Sequence, residues 1–177
     1  VPFGEYVPLR RFLPFLQKVA SGMSAEDFSA GETATLLPSR GGRIGALICY
    51  ESIFPELVRK FAAADADLLV NITNDAWFGA TSAPVQHLSM AVFRAVENRM
   101  GIARSANTGI SGAIAPTGEI VRETEIFKQE ALSVTIIPRL GKTFYAKRGD
   151  VFSWIAVLVA AAALAQGLAR RPDRKSG

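Results

Sequence analysis

Arg43-Ile-Gly-Ala-Leu-Ile-Cys49-Tyr-Glu-Ser-Ile-Phe-Pro-Glu-Leu-Val-Arg-Lys60 is the stretch whose reading decides the fold. Ile44 to Ile48 is a short apolar run with two isoleucines and reads as a buried strand. Ser52 is placed to cap a helix that opens near Phe54-Pro55 and runs through Glu56, Leu57, Val58 and Lys60, with Pro55 at a tolerated first-turn position. The only cysteine in the chain therefore falls where a strand hands over to a helix. Such a position exposes a side chain at the top of a sheet, and helix amides pointing toward it favour a thiolate and hold an oxyanion. Glu51, two residues on, is close enough to orient an incoming proton donor. Taken alone, a free cysteine after an apolar strand also reads as a small buried hydrophobe, so its neighbours have to decide.

Downstream, Asp67-Leu-Leu-Val-Asn-Ile-Thr73 has the β-branched enrichment of a second buried strand. It ends in Asn74-Asp-Ala-Trp77-Phe78-Gly79, a loop carrying polar groups and large aromatics. Strand, helix and strand at this spacing predict a right-handed βαβ unit with both strand ends on one edge of the sheet. Cys49 and the Asn74–Gly79 loop then become neighbours at the carboxyl ends of strands, where α/β folds place their sites. Trp77 either packs into the fold or walls a pocket. Ser82 to Arg99 follows with Val85, Leu88, Ala91, Val92, Ala95 and Val96 at helical spacing. His87 lies one residue off that stripe, so a Cys49–His87 dyad is considered, but a helix-surface or packing histidine is the preferred reading. Arg94 and Glu97 are read as structural. Ile102–Gly109, Gly112–Pro116, Glu119–Glu123 and Ala131–Ile137 read as further strands. Upstream, the loop Val1–Leu9 carries Glu5 between aromatics, either solvated or held beside a site. Arg11–Val19 reads as a short helix, and Thr33–Leu37 as an edge strand closed by a Gly41-Gly42 turn.

A chain of 177 residues, 49% of them hydrophobic, supports one sizeable domain. Its net charge of +4 is spread without aromatic interleaving, so no nucleic-acid partner is expected. One cysteine excludes an intramolecular disulfide, and one histidine with one cysteine argues against a zinc site; no cofactor is called for. The chain opens on Val in the middle of a loop-like segment and reads as part of a longer one. Val151 to Ala169 holds no charged residue and is followed by Arg170, Arg171, Arg174 and Lys175. Its length and basic flank predict a membrane span, with a buried C-terminal helix as the alternative.

Pro2-Phe-Gly-Glu-Tyr-Val-Pro8, Ile48-Cys-Tyr-Glu51, Asn71-Ile-Thr-Asn-Asp-Ala-Trp-Phe-Gly79, Gln86-His-Leu88, Phe93-Arg-Ala-Val-Glu-Asn98 and Arg104-Ser-Ala-Asn-Thr-Gly-Ile-Ser111 resemble the carbon–nitrogen hydrolase (nitrilase) superfamily. Within it, Cys-Tyr-Glu followed by Asn-Asp-Ala-Trp-Phe-Gly and a C-terminal span resembles the apolipoprotein N-acyltransferase family. The resemblance implies an α-β-β-α sandwich, its C-terminal part at residues 1–148, a transmembrane helix at 149–169 and a basic cytoplasmic tail at 170–177. It implies Cys49 as nucleophile and Glu5 as an additional glutamate near the site. Tyr50 and Glu51 would follow the nucleophile, and Trp77 would be a pocket wall. The family's general-base Glu and oxyanion Lys belong upstream of the Pro2–Pro8 loop and so outside this chain; Lys18 and Glu26 follow that loop and do not fill those roles.

On this resemblance the partners are a phospholipid acyl donor, a diacylglyceryl apolipoprotein acceptor and the membrane. The protein is expected to be a monomer in a bacterial inner membrane, its catalytic domain periplasmic and its C-terminus cytoplasmic. Cys49 would carry the acyl chain as a thioester, with the Tyr50 N–H at the oxyanion and Trp77, Phe78 and Tyr50 as apolar cover. Two other readings stay open: a membrane-tethered amidase acting on a small amide, and a membrane-anchored binding module without catalysis.

Overall fold

Gly31 and residues 33–169 are described by the computed structural model, with side chains of the last helix described through Gly167. Glu5, its loop, the helix expected at Arg11–Val19 and the basic tail from Arg170 lie outside the described residues. Six strands form one mixed sheet in sequence order: β1 (Leu36–Ser39), β2 (Gly42–Ile48), β3 (Leu68–Thr73), β4 (Ile102–Ala106), β5 (Gly112–Ile114) and β6 (Ile120–Glu123). The centre, β2-β3-β4, is parallel, and the flanking pairs are antiparallel. Ile48 pairs with Ile72, and Thr73 with Ala106, so the carboxyl ends of the three central strands share one edge.

Helices α1 (Pro55–Ala63), α2 (Ala83–Asn98), α3 (Phe144–Arg148) and α4 (Val151–Ala169) complete the described chain. Burial alternates along the central strands as a pleat requires. Gly45 and Leu47 of β2, Leu69 of β3 and Ile102 of β4 point into one core with Val58, Phe61 and Ala62 of α1 and Leu88, Ala91 and Ala95 of α2. Each fully buried large apolar side chain there contributes roughly 1.5–3 kcal/mol. Gly45 permits the close approach of α1: a Cβ there would stand 2.9 Å from Phe61 Cδ1. The opposite face carries Ile48 and Ile72, each about half exposed. The described chain is thus an α/β layer with α1, α2 and α3 on one face of a mixed sheet.

Three local expectations change. Ser52 does not cap α1, whose N-cap is Phe54 with no side-chain cap bond; Ser52 is buried one turn earlier, in a 3-10 turn spanning Cys49–Ile53. Ala131–Ile137 keeps the alternating exposure of a strand but joins no ladder among the described residues. A cleft of about 400 Å³, lined by Ala103, Ser111 and Ala113 on one side and Leu132, Val134 and Ile136 on the other, parts it from β4 and β5. The helix expected at 149–169 is present as α4, exposed along nearly its whole length. Among the described residues no helix is long and apolar enough to cross a membrane.

Candidate active site

Cys49 follows the last residue of β2 and opens the 3-10 turn with φ +50°. A left-handed backbone costs a residue with a Cβ about 1–2 kcal/mol, and such strain persists where the surroundings over-determine it. The surroundings are specific. The Cys49 carbonyl accepts from Asn71 Nδ2 on β3 at 3.2 Å and from Ser52 Oγ at 3.2 Å. Glu51 turns its carboxylate back, and Oε2 accepts the Ile48 N–H at 2.7 Å. The turn is therefore gripped from both sides of the cysteine. Cys49 itself is half-buried and forms no disulfide.

The loop after β3 lies beside this turn, as the βαβ geometry predicts. Tyr50 and Phe78 have ring centroids 6.3 Å apart. Phe78 is half-buried, while Trp77 projects from the same loop and is 87% exposed, so it does not pack into the described core. Asn74 holds the loop closed by accepting the Ala76 N–H at 3.2 Å and the Asn107 Nδ2–H at 3.1 Å, which joins the ends of β3 and β4. Tyr50, Glu51 and Phe78 are thus assembled around Cys49.

Beneath Cys49 sits a polar cluster that the sequence reading did not assemble. Asp75 and Arg104 have fully buried side chains and pair at 2.8 Å between Oδ2 and Nη2. Arg104 also donates to Asn71 Oδ1 and, through Nε, to the Ile110 carbonyl at 3.1 Å. Asp75 Oδ1 accepts from Thr73 Oγ1 at 2.8 Å and lies 3.1 Å from His87 Nδ1. The other ring nitrogen, Nε2, is 3.1 Å from Ser52 Oγ. His87 therefore meets Ser52 and Asp75, and it reaches the Cys49 backbone both through Ser52 and directly, while making no bond to the thiol. Of the two placements expected for this histidine, helix surface or packing, the buried one is found, with polar partners on both ring nitrogens. Burial pushes its pKa below the ordinary histidine value and the Arg104 charge pushes the same way, with Asp75 opposing, so His87 is neutral at pH 7. Gly109 closes the cluster: a Cβ there would lie 2.6 Å from Asp75 Cβ. On α2, Arg94 donates to Glu97 Oε1 at 2.7 Å and to the Ile53 carbonyl at 3.2 Å, which fixes the end of the Cys49 turn.

The signal for this cluster was present in the alternation. Leu69, Asn71 and Thr73 on β3, and Ile102 and Arg104 on β4, all face the helices. Their change from apolar to polar toward the carboxyl edge marks a buried polar floor.

Comparison with known proteins agrees with this architecture. Residues 7–143 match the model of the carbon-nitrogen hydrolase family. The chain is 49% identical over 171 residues to an apolipoprotein N-acyltransferase of Geobacter metallireducens, covering 97% of this chain and 32% of that protein. A second apolipoprotein N-acyltransferase, from Azotobacter vinelandii, is 40% identical over 176 residues, with 98% of this chain and 33% of the relative covered. The chain thus spans about a third of the length of these curated relatives. Among solved structures, Saccharomyces cerevisiae Nit3, a member of branch 10 of the nitrilase superfamily, superposes with a TM-score of 0.51 at 26% identity, over 59% of this chain and 41% of Nit3. With most of its length matched by the family model, and a mixed sheet that presents a strained cysteine at the carboxyl edge, the chain belongs to the carbon–nitrogen hydrolase family.

Proposed function

We propose that the protein carrying this chain is an N-acyltransferase that moves a fatty acyl chain from a phospholipid, through a thioester on Cys49, to the N-terminal diacylglyceryl-cysteine of apolipoproteins. The observation that carries the reading is Cys49 held in a left-handed turn at the carboxyl edge of parallel strands. The names of the relatives supply the reaction class.

In the first half-reaction the Cys49 thiolate attacks the ester carbonyl carbon. A C–S bond forms, the C–O bond breaks, and the departing lysophospholipid takes a proton. In the second, the lipoprotein α-amine attacks the thioester, an amide C–N bond forms as the C–S bond breaks, the amine gives up a proton, and the thiolate returns. The Tyr50 N–H, at the start of the 3-10 turn, is the proposed oxyanion donor from this chain. Glu51 acts by holding that turn through Ile48. Tyr50, Phe78 and the exposed Trp77 form the apolar cover that receives the chain and keeps water from the thioester. Glu5 is proposed beside the site.

The finer architecture belongs to the same proposal. A second sheet covering Ile48 and Ile72 completes an α-β-β-α sandwich around residues 1–148. Residues 149–169 cross the inner membrane as one helix, for which the uncharged and exposed α4 is the support. The catalytic domain is then periplasmic, residues 170–177 are cytoplasmic, and the protein acts as a monomer. The test is acceptor choice by the complete, detergent-purified protein. Given phospholipid and a diacylglyceryl-cysteine peptide, it is expected to yield the N-acylated peptide and lysophospholipid, with parallel-line (ping-pong) kinetics. Release of ammonia from a small amide without peptide acylation contradicts the reading and favours an amidase.

A further inference from the structure

Ser52, His87 and Asp75 lie in the order of a nucleophile–base–orienter array, at 3.1 Å for each link. Ser52 is 1% exposed and His87 3%, so no substrate reaches either. The rings of Tyr50 and Phe78 stand 5.3 and 5.9 Å from the imidazole. What the array does reach is the Cys49 backbone, through the Ser52 hydroxyl and by direct approach of the imidazole.

Counting protons shows how the elements are coupled. Ser52 has one hydroxyl proton and two acceptors within reach, the Cys49 carbonyl at 3.2 Å and His87 Nε2 at 3.1 Å. If His87 carries its proton on Nε2, it donates to Ser52 Oγ and frees the hydroxyl proton for the Cys49 carbonyl. Nδ1 is then an acceptor, and Arg104 Nη2, 3.1 Å away, supplies it. If the proton is on Nδ1 it goes to Asp75, and the Ser52 hydroxyl turns to Nε2, leaving the Cys49 carbonyl to Asn71 alone. A doubly protonated ring would serve Asp75 and Ser52, but it sets an Nδ1–H donor against Arg104 Nη2 and adds a cation beside Arg104 in a dry site, which burial opposes.

We propose that Ser52 and His87, oriented by Asp75 and Arg104, are positioning residues that hold the Cys49 turn in its reactive conformation, with His87 acting through its Nε2 contact to Ser52 instead of taking the thiol proton. The inference rests on the reading of Cys49 as the nucleophile. It predicts which imidazole nitrogen matters, something that filling space or stabilising the core would not distinguish.

The experiment compares Ser52→Ala, His87→Asn, His87→Gln and the Ser52→Ala/His87→Asn double variant in the complete, detergent-purified protein. Acylation of Cys49 is timed with phospholipid and, in parallel, with a p-nitrophenyl ester; alkylation by iodoacetamide at neutral pH is timed on the same samples. Asn mimics Nδ1 and loses Ser52, whereas Gln mimics Nε2 and keeps it. Misplacement of a reacting atom costs on the order of 10- to 100-fold. Ser52→Ala and His87→Asn are therefore expected to slow acylation by about 10-fold or more. The double variant should be no slower than the slower single one, because both act on one path. His87→Gln should recover most of the rate, and alkylation should change by less than about 3-fold because a small reagent does not depend on the poise of the thiol. Unchanged acylation, additive losses, or Gln no better than Asn overturns the proposal. So does a joint fall in acylation and alkylation, which marks His87 as the base. If the unmodified protein is acylated by the p-nitrophenyl ester and not by phospholipid, the acyltransferase reading fails while the same variant pattern still decides this one. If it is acylated by neither, the nucleophile assignment falls and this inference with it.

Discussion

Cys49→Ala and Cys49→Ser in the complete protein are expected to lower acyl transfer to a diacylglyceryl-cysteine peptide by at least about 10³-fold, the scale of losing a nucleophile. Both half-reactions go together, because the first makes the bond that the second breaks. The loss should be chemical. Cys49 is half-buried, and its backbone carbonyl, which makes the bonds to Asn71 and Ser52, is common to all three residues. Melting temperatures within about 2 °C of the parent are therefore expected, as for substitutions away from the buried core. Serine fails despite its similar shape because a hydroxyl is far less acidic than a thiol and gives too little anion without a dedicated base. Substantial transfer by either variant would move the nucleophile elsewhere.

The second large effect is on stability. Arg104→Met removes the cation from a fully buried pair and leaves the Asp75 carboxylate, Asn71 Oδ1 and the Ile110 carbonyl short of a donor. Removing one partner of such a pair costs about 3–5 kcal/mol, a large share of the roughly 5–15 kcal/mol that holds a domain together. The variant is expected to melt at least about 10 °C lower, or to fail to accumulate folded. A melting temperature equal to the parent's would show that the cluster is not closed as described.

The same cluster sets a pH dependence whose sign is fixed. His87 binds its proton less readily folded than unfolded, chiefly through burial and then through Arg104. The unfolded chain is therefore protonated first as pH falls, and the stability fully present above about pH 6.5 is lost below it, down to the lowered folded value. Glu97, raised by burial, acts in the opposite sense as pH rises through its folded value. The difference between the parent and His87→Asn in melting temperature against pH isolates the histidine: the slope below pH 6.5 should be shallower without it.

The strand–cysteine–helix unit was legible because periodicity changes from a short apolar run to a helical stripe within a few residues, and Pro55 marks the helix start. Partnership across the chain was harder to see. Ser52 just before a proline-led helix fits the rule for a cap, but the rule is local. Its hydroxyl is claimed by His87, 35 residues on, and by the carbonyl of Cys49. Ala131–Ile137 alternates like a strand, yet alternation cannot say whether a sheet edge is free to receive it. The polar floor of Asn71, Thr73 and Arg104 was readable once β3 and β4 were known to present those positions to the helices. Without that parity, Arg104 is one more arginine among scattered charges.

The most direct test of the central claim is the intact mass of the complete protein after incubation with phospholipid and no acceptor. A fatty acyl mass added to the parent, removed by neutral hydroxylamine and absent from Cys49→Ala, is the result predicted. An unmodified mass while Cys49 still reacts with iodoacetamide contradicts it and leaves a reactive thiol whose substrate is not a lipid.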